Sequence, residues 1–271
     1  MNLFLEMLKR NRSSPDFDRA IRFSRPLNDH FGVNHFWYYR ISCNGEYSYM
    51  GTNEDWNEYC FEHSLINFFP CLRHPEVLSK GISFMQASPS DINYQQVKKA
   101  AWDRFRINFN LNLYTLFSGG IEAFGFGSKF NDYQVEERLI NELPLLRCFI
   151  KSFKENHKNL FYTLQDNCVD LASHMGTQFY ESPQKIKIPF GRESFLNHIG
   201  HKPSLKLTAR EKDLVKFLAN GYPASYIRKK LHLSIRTVEN YIAALKDKLN
   251  CSSKTELIEK SQSILAIGLC N

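Results

Sequence analysis

Nothing in the 271 residues approaches the roughly 18 consecutive apolar residues that a membrane-spanning helix needs, so no membrane partner is expected. The apolar start from Leu3 to Leu8 is followed, not preceded, by Lys9, Arg10 and Arg12. A secretory signal has the reverse order, and a cytoplasmic location is expected. There is no C-x-x-C. The seven cysteines (Cys43, Cys60, Cys71, Cys148, Cys168, Cys251 and Cys270) are odd in number and scattered. That excludes a disulfide frame and a zinc site, and reads as reduced thiols. His35, His63 and His74 lie near Cys60 and Cys71 without metal spacing. No nucleophile elbow occurs, and Gly125-Phe126-Gly127 lacks the third glycine and following helix of a phosphate loop. Neither an enzyme nor a bound cofactor or metal is expected. No internal repeat or low-complexity tract is evident.

What is present is apolar and basic. Hydrophobic residues make up 43% of the chain, Phe alone contributes 22 residues, and the length suits two ordinary domains. The formal charge of +7 is uneven. From Ser204 to Asn271 nine Lys and three Arg face six acidic residues, a net of +6, while the remainder nets +1. A small basic domain beside a neutral large one points to a polyanionic partner, or simply to a solvated surface.

The N-terminal part alternates helical and extended patterns. Residues 16–31 have a helical period, residues 35–41 read as a strand, and Asn44-Gly45 turns the chain into a returning strand, 46–50. A helix is expected over 55–69, a strand over 81–85 and a helix over 92–106. Two further strands, 110–117 and 121–127, are joined by Ser118-Gly119-Gly120, and a long helix runs from about 132 to 157 and on to 175, bent at Pro144. The order suits an α+β domain, an antiparallel sheet covered by helices. Residues 180–203 collect Pro183, Pro189, Gly191, Gly200 and Pro203 and read as a linker between domains spanning 1–179 and 204–271.

Four helices are expected in the last domain. Thr208 and Glu211 fit a capping box, Asn220-Gly221 a left-handed stop, and Pro223 the first position of a second helix. Ser234 caps a third helix whose inward face is Val238, Ile242, Leu245 and Leu249. Its opposite face carries Arg236, Glu239, Asn240, Ala243 and Lys246 or Asp247, with Thr237 beside Arg236 at the helix start. Ser253 and Glu256 form a second capping box opening the fourth helix. A short helix, a tight turn and a helix with a polar outer face fit a DNA major groove. Asn240 can pair with adenine, Glu239 can accept from cytosine, and Ala243 can touch a thymine methyl. Arg236, Thr237 and Lys246 suit phosphates. The same pattern also describes an ordinary helical bundle with a solvated face.

The ordered positions Leu207-Thr208-Ala209-Arg210-Glu211, Gly221, Ile227, Leu231, Ser234, Thr237-Val238, Tyr241, Lys248-Leu249 and Ser253-Lys254-Thr255-Glu256-Leu257 resemble the LuxR-type helix-turn-helix family. Tyr241 stands where that family often has His, and Glu239 where it often has a basic residue. The resemblance implies transcriptional regulation by a homodimer on double-stranded DNA, with the third helix in the major groove and the fourth contributing to dimerisation.

Regulators of that family with a receiver domain need acidic phosphoacceptor signatures, which are not found here. The N-terminal domain is instead similar to the autoinducer-binding domain of quorum-sensing regulators, a PAS/GAF-like α/β/α sandwich. That resemblance implies a ligand pocket at Trp56, Tyr59 (one residue out of step), Phe69, His74 and Phe84. The family's Asp-Pro pair falls on Phe69-Pro70 or on His74-Pro75, and the Asp is absent either way. Without that acceptor a lactone's amide N–H is left unpaired at a cost of about 1–3 kcal/mol. The expected ligand is therefore a small apolar signal molecule other than a standard acyl-homoserine lactone, with neutral His74 as an available acceptor. These aromatics also suit a plain core, in which case the domain serves dimerisation or a protein partner without a ligand.

Overall fold

The computed structural model describes residues 2–78, 81–87, 91–117, 119–129, 134–181, 195, 198 and 207–266. It divides into two compact units, Met1–Lys185 and Ile186–Asn271. Most of the expected linker, 182–194 and 199–203 included, lies outside the described residues.

The first unit is built on a six-stranded antiparallel sheet in the order β3-β4-β5-β1-β2-β6. The strands are β1 Val33–Ser42, β2 Glu46–Gly51, β3 Gly81–Phe84, β4 Asn108–Phe117, β5 Gly120–Ser128 and β6 Val169–Asp170. Successive side chains of a strand point to opposite faces. On β1, Trp37, Tyr39 and Ile41 therefore join one core and Phe36 and Tyr38 another. Helices α1 Leu3–Arg12, α4 Glu54–Glu62, α5 Ile92–Phe105 and α9 Leu171–Met175 supply the first core. The second is closed by α2 Pro15–Ser24, α3 Pro26–Phe31, α6 Val135–Asn141, α7 Leu143–Asn156 and α8 Lys158–Asp166. The result is the expected α/β/α sandwich with an antiparallel sheet.

Several boundaries differ from the sequence reading. The helix expected over 16–31 breaks before Pro26, and the one over 55–69 stops at Glu62, with Ser64 left-handed at φ 54°. The long helix expected to 175 becomes α6, α7 and α8. It starts again at Leu143-Pro144, where a helix's first turn tolerates proline, and at Lys158. Its expected start at 132 lies outside the described residues, as does Ser118 of the β4–β5 turn. The apolar N-terminal stretch is itself a helix, capped by Asn2, whose Oδ1 accepts from the Phe4 N–H at 3.1 Å.

Gly125 shows why the sheet needs a glycine in mid-strand. It sits opposite Trp37, and a Cβ there would lie 1.8 Å from the indole. Trp37 is 6% exposed and cannot swing out without opening the core. Gly125→Ala is expected to cost about 1–3 kcal/mol through overpacking. Urea unfolding followed by tryptophan fluorescence checks this, and an unchanged midpoint refutes the packing argument.

The second unit comprises α10 Ala209–Ala219, α11 Ala224–Leu231, α12 Ile235–Lys248 and α13 Lys254–Ala266. Leu214, Leu218, Ile227, Val238, Leu245 and Leu257 are buried at its centre.

Candidate nucleic-acid interface and apolar cavity

The placement of α12 begins two helices earlier. Thr208 caps α10: its hydroxyl accepts from the Glu211 N–H, and the Glu211 carboxylate accepts from the Thr208 N–H at 2.6 Å. The same carboxylate accepts from Lys248 Nζ at 2.8 and 3.1 Å, tying the start of α10 to the last turn of α12. Burial pushes the Glu211 pKa up, but the Lys248 ammonium and the Thr208 donors outweigh it and hold the carboxyl below its ordinary value.

α11 starts at Ala224 with Pro223 as its cap residue, one position earlier than expected for the proline. It ends at His232, left-handed at φ 54°. The His232 and Leu233 N–H groups both donate to the Arg228 carbonyl, which closes the turn. Ser234 then caps α12, its Oγ accepting from the Thr237 N–H at 3.1 Å. At the far end, Lys260 Nζ donates to the carbonyls of Leu249 and Asn250. The second capping box is shifted: Ser253 Oγ accepts from the Glu256 N–H, but the Glu256 carboxylate reaches the Ser252 N–H and hydroxyl. Those donors, with Lys260, hold Glu256 down at about 2.

With Val238 and Leu245 fully buried, the other side of α12 is left to solvent. Arg236, Glu239, Asn240 and Ala243 are exposed, and Thr237 and Lys246 are half-buried. Among the described residues the side chains of Arg236, Glu239 and Asn240 have no hydrogen-bond or salt-bridge partner, whereas the Thr237 hydroxyl pairs with Ser234 Oγ at 2.7 Å. The outer face therefore presents an unspent amide, carboxylate and guanidinium around one methyl, the groups that read base edges and phosphates.

In the first unit an apolar cavity of about 40 Å³ lies between the sheet and α4. Of the expected ligand contacts, Trp56 and Phe69 line it, while Tyr59, His74 and Phe84 do not. Tyr59 packs on His63 and Phe105 under Arg104. His74 is held by the Cys43 carbonyl and the rings of Phe179 and Tyr180. Phe84 is 50% exposed on edge strand β3, where Met85 turns inward instead. The wall is completed by residues the sequence reading did not single out, notably His35, Trp37, Tyr39, Tyr49 and Asn57. The alternation Trp37, Tyr39 and Tyr47, Tyr49 on paired strands was the available signal. His35 is 1% exposed, its Nδ1 has no hydrogen-bond partner among the described residues, and burial drops its pKa to about 3, so the ring is neutral.

Residues 205–261 match the family model described as bacterial regulatory proteins, luxR family. The C-terminal unit carries a LuxR-type helix-turn-helix domain. A curated relative, the transcriptional activator protein ExaE of Pseudomonas putida, is 44% identical over 52 residues, which is 19% of this chain and 24% of that protein. Two solved structures align over nearly the whole chain but superpose loosely. Escherichia coli SdiA is 13% identical with a TM-score of 0.36, covering 98% of this chain and 97% of that one. SdiA in complex with octanoyl-rac-glycerol is 14% identical with a TM-score of 0.36, covering 99% and 95%.

In the LuxR-type domain the Glu211–Lys248 link was missed by sequence reading, because 37 residues separate two charges that each also fit a solvated surface. Removing it is testable. Glu211→Ala loses the cap and the ion pair, and about 1–3 kcal/mol of protection is expected to go from the amides of α12. Since Glu211 and Glu256 are both depressed from 4.5, their contributions are complete above that value and lost as pH falls below it toward the folded values. Hydrogen exchange over residues 235–248, corrected for intrinsic rates, measures both, and protection that is flat from pH 6 to pH 3 contradicts the assignment.

Proposed function

We propose that the chain is a transcriptional regulator that acts as a homodimer, each copy laying α12 in the major groove of one half of a two-fold site about one helical turn across. The unpartnered outer face of α12 carries this reading, and the LuxR-type domain and its match to a transcriptional activator support it. Asn240 and Glu239 read bases, Ala243 packs against a thymine methyl, and Arg236, Thr237 and Lys246 hold phosphates. The basic excess of this unit supplies the salt-sensitive part of the affinity. α13 contributes to the dimer, residues 180–203 link the units, and the protein works in the cytoplasm. Asn240→Ala is expected to cost about 1–3 kcal/mol at the target and to relax base choice at one position. Arg236→Ala should weaken all sequences alike and lower the salt slope by about one. Selection from a random DNA library followed by titration reads both effects, and an unchanged footprint and affinity for Asn240→Ala overturns the docking.

The first unit, in this proposal, controls the second by sensing a small uncharged molecule. The cavity wall holds no Asp, Glu, Lys or Arg, and its imidazole is neutral, which disfavours a charged ligand and leaves no carboxylate for a lactone amide. Binding to one of two dimer arrangements shifts the population that grips both half-sites. One observation favours a second reading, a ligand-free domain that serves dimerisation or a protein partner. Pockets for drug-sized ligands usually span about 300–1,000 Å³, against about 40 Å³ here. Mass spectrometry of an organic extract of protein purified from its own host separates the two. A stoichiometric small molecule supports the sensor, and an empty extract, with no host metabolite raising Tm, supports the ligand-free reading.

A further inference from the structure

The sheet face opposite the apolar cavity carries a feature that DNA binding does not use. At the outer end of the second core, the groove between the sheet and α7–α8 opens into two joined hollows of about 440 and 280 Å³ that share Arg40 and Gln165. Arg40 lies on central strand β1, directly opposite Glu122 of β5 on one side and Ser48 of β2 on the other. A cross-strand Arg–Glu pair is the ordinary outcome of such a register. It does not form here. The Glu122 carboxylate, 8% exposed, takes Lys154 Nζ at 2.5 Å instead. The Arg40 guanidinium carbon lies over the Phe117 ring, 4.1 Å from its centre, and, among the described residues, the group has no hydrogen-bond or salt-bridge partner. Ser48, only 3% exposed, lines the smaller hollow, and among the described residues its hydroxyl too has no hydrogen-bond partner.

A cation–π contact restrains a guanidinium while leaving N–H donors free, and an unpaired fork of donors suits bidentate recognition of a planar oxyanion. The larger hollow beside it is walled by Tyr38, Phe161 and Tyr162, which suit an apolar body. Lys158, Glu155 and the Glu122–Lys154 pair also line it, and Glu46 and Asp166 border the polar hollow. These carboxylates oppose a second negative charge on the ligand and so disfavour phosphates and dicarboxylates.

We propose that this groove binds a small monocarboxylate with an apolar body, its carboxylate on the Arg40 guanidinium and the Ser48 hydroxyl and its body against Tyr38, Phe161 and Tyr162. The site is separate from the apolar cavity and stands or falls independently of the DNA-binding reading. Isothermal titration of the full chain with 3-phenylpropionate tests it, with 3-phenylpropionamide and inorganic phosphate as comparators. Saturable binding of one acid per chain is expected, with the amide and phosphate at least about tenfold weaker. Arg40→Gln should weaken the acid at least about tenfold, and Arg40→Lys, which keeps the charge but not the fork, should also weaken it. Absence of binding, an amide as tight as the acid, or an unchanged Kd in Arg40→Gln overturns the proposal. If Arg40→Gln does not fold, the acid–amide comparison on the unaltered chain still decides.

Discussion

An α-helix with apolar residues every three or four positions can bury that stripe only by giving one side to a core. α12 gives up Val238 and Leu245, with Tyr241 and Ile242 packed beside them, and its outer side has no apolar claim on the protein. The bare surface of Arg236, Glu239, Asn240 and Ala243 is thus first a consequence of packing, before the role proposed for it. The surface can be used only if the helix is held still. Ser234 fixes its beginning, Lys260 its last carbonyls, and Glu211 anchors Lys248 from another helix. Each of these contacts satisfies a helix-end or charged group that water would otherwise claim.

The same partition governs the first unit in two dimensions instead of one. A central strand flanked on both sides must feed two cores, so β1 places large rings alternately up and down. On one face the rings of Trp37, Tyr39, Tyr47 and Tyr49 nearly fill the interior, and Gly125 exists to let one of them lie flat. What is left is a small, uncharged cavity around a neutral imidazole. On the other face the aromatic packing gives out toward one end of the central strands, where Glu122 is drawn to Lys154 and Arg40 is left facing a groove. The unit thus has a small apolar cavity and larger, more polar hollows on opposite faces of its sheet.

Sequence reading recovered the helices of the C-terminal unit almost residue for residue, because their ends are written in local chemistry: Thr208 with Glu211, Gly221, Ser234, and Ser253 with Glu256. Caps and turns depend on neighbours within four residues, so they survive without knowledge of the fold. The placing of ligand residues was less legible. Tyr59, His74 and Phe84 were placed by resemblance to the autoinducer-binding domain, but whether an aromatic faces a cavity depends on strand register and helix rotation, which such an alignment does not encode. Phe84 and Met85 differ by one residue and lie on opposite sides of β3's end.

By itself, then, the sequence determined the alternation and periodicity of apolar residues, the helix caps, the sign of the C-terminal charge and the bare outer face of α12. Tertiary structure alone decided that Glu211 meets Lys248, that Glu122 meets Lys154 and leaves Arg40 unpaired, and that Trp37 needs Gly125. The physical reason is range. Propensity, capping and amphipathic pattern act over a few bonds along the chain, whereas which of two nearby opposite charges captures a given carboxylate is settled by distances that exist only once the sheet and helices have packed.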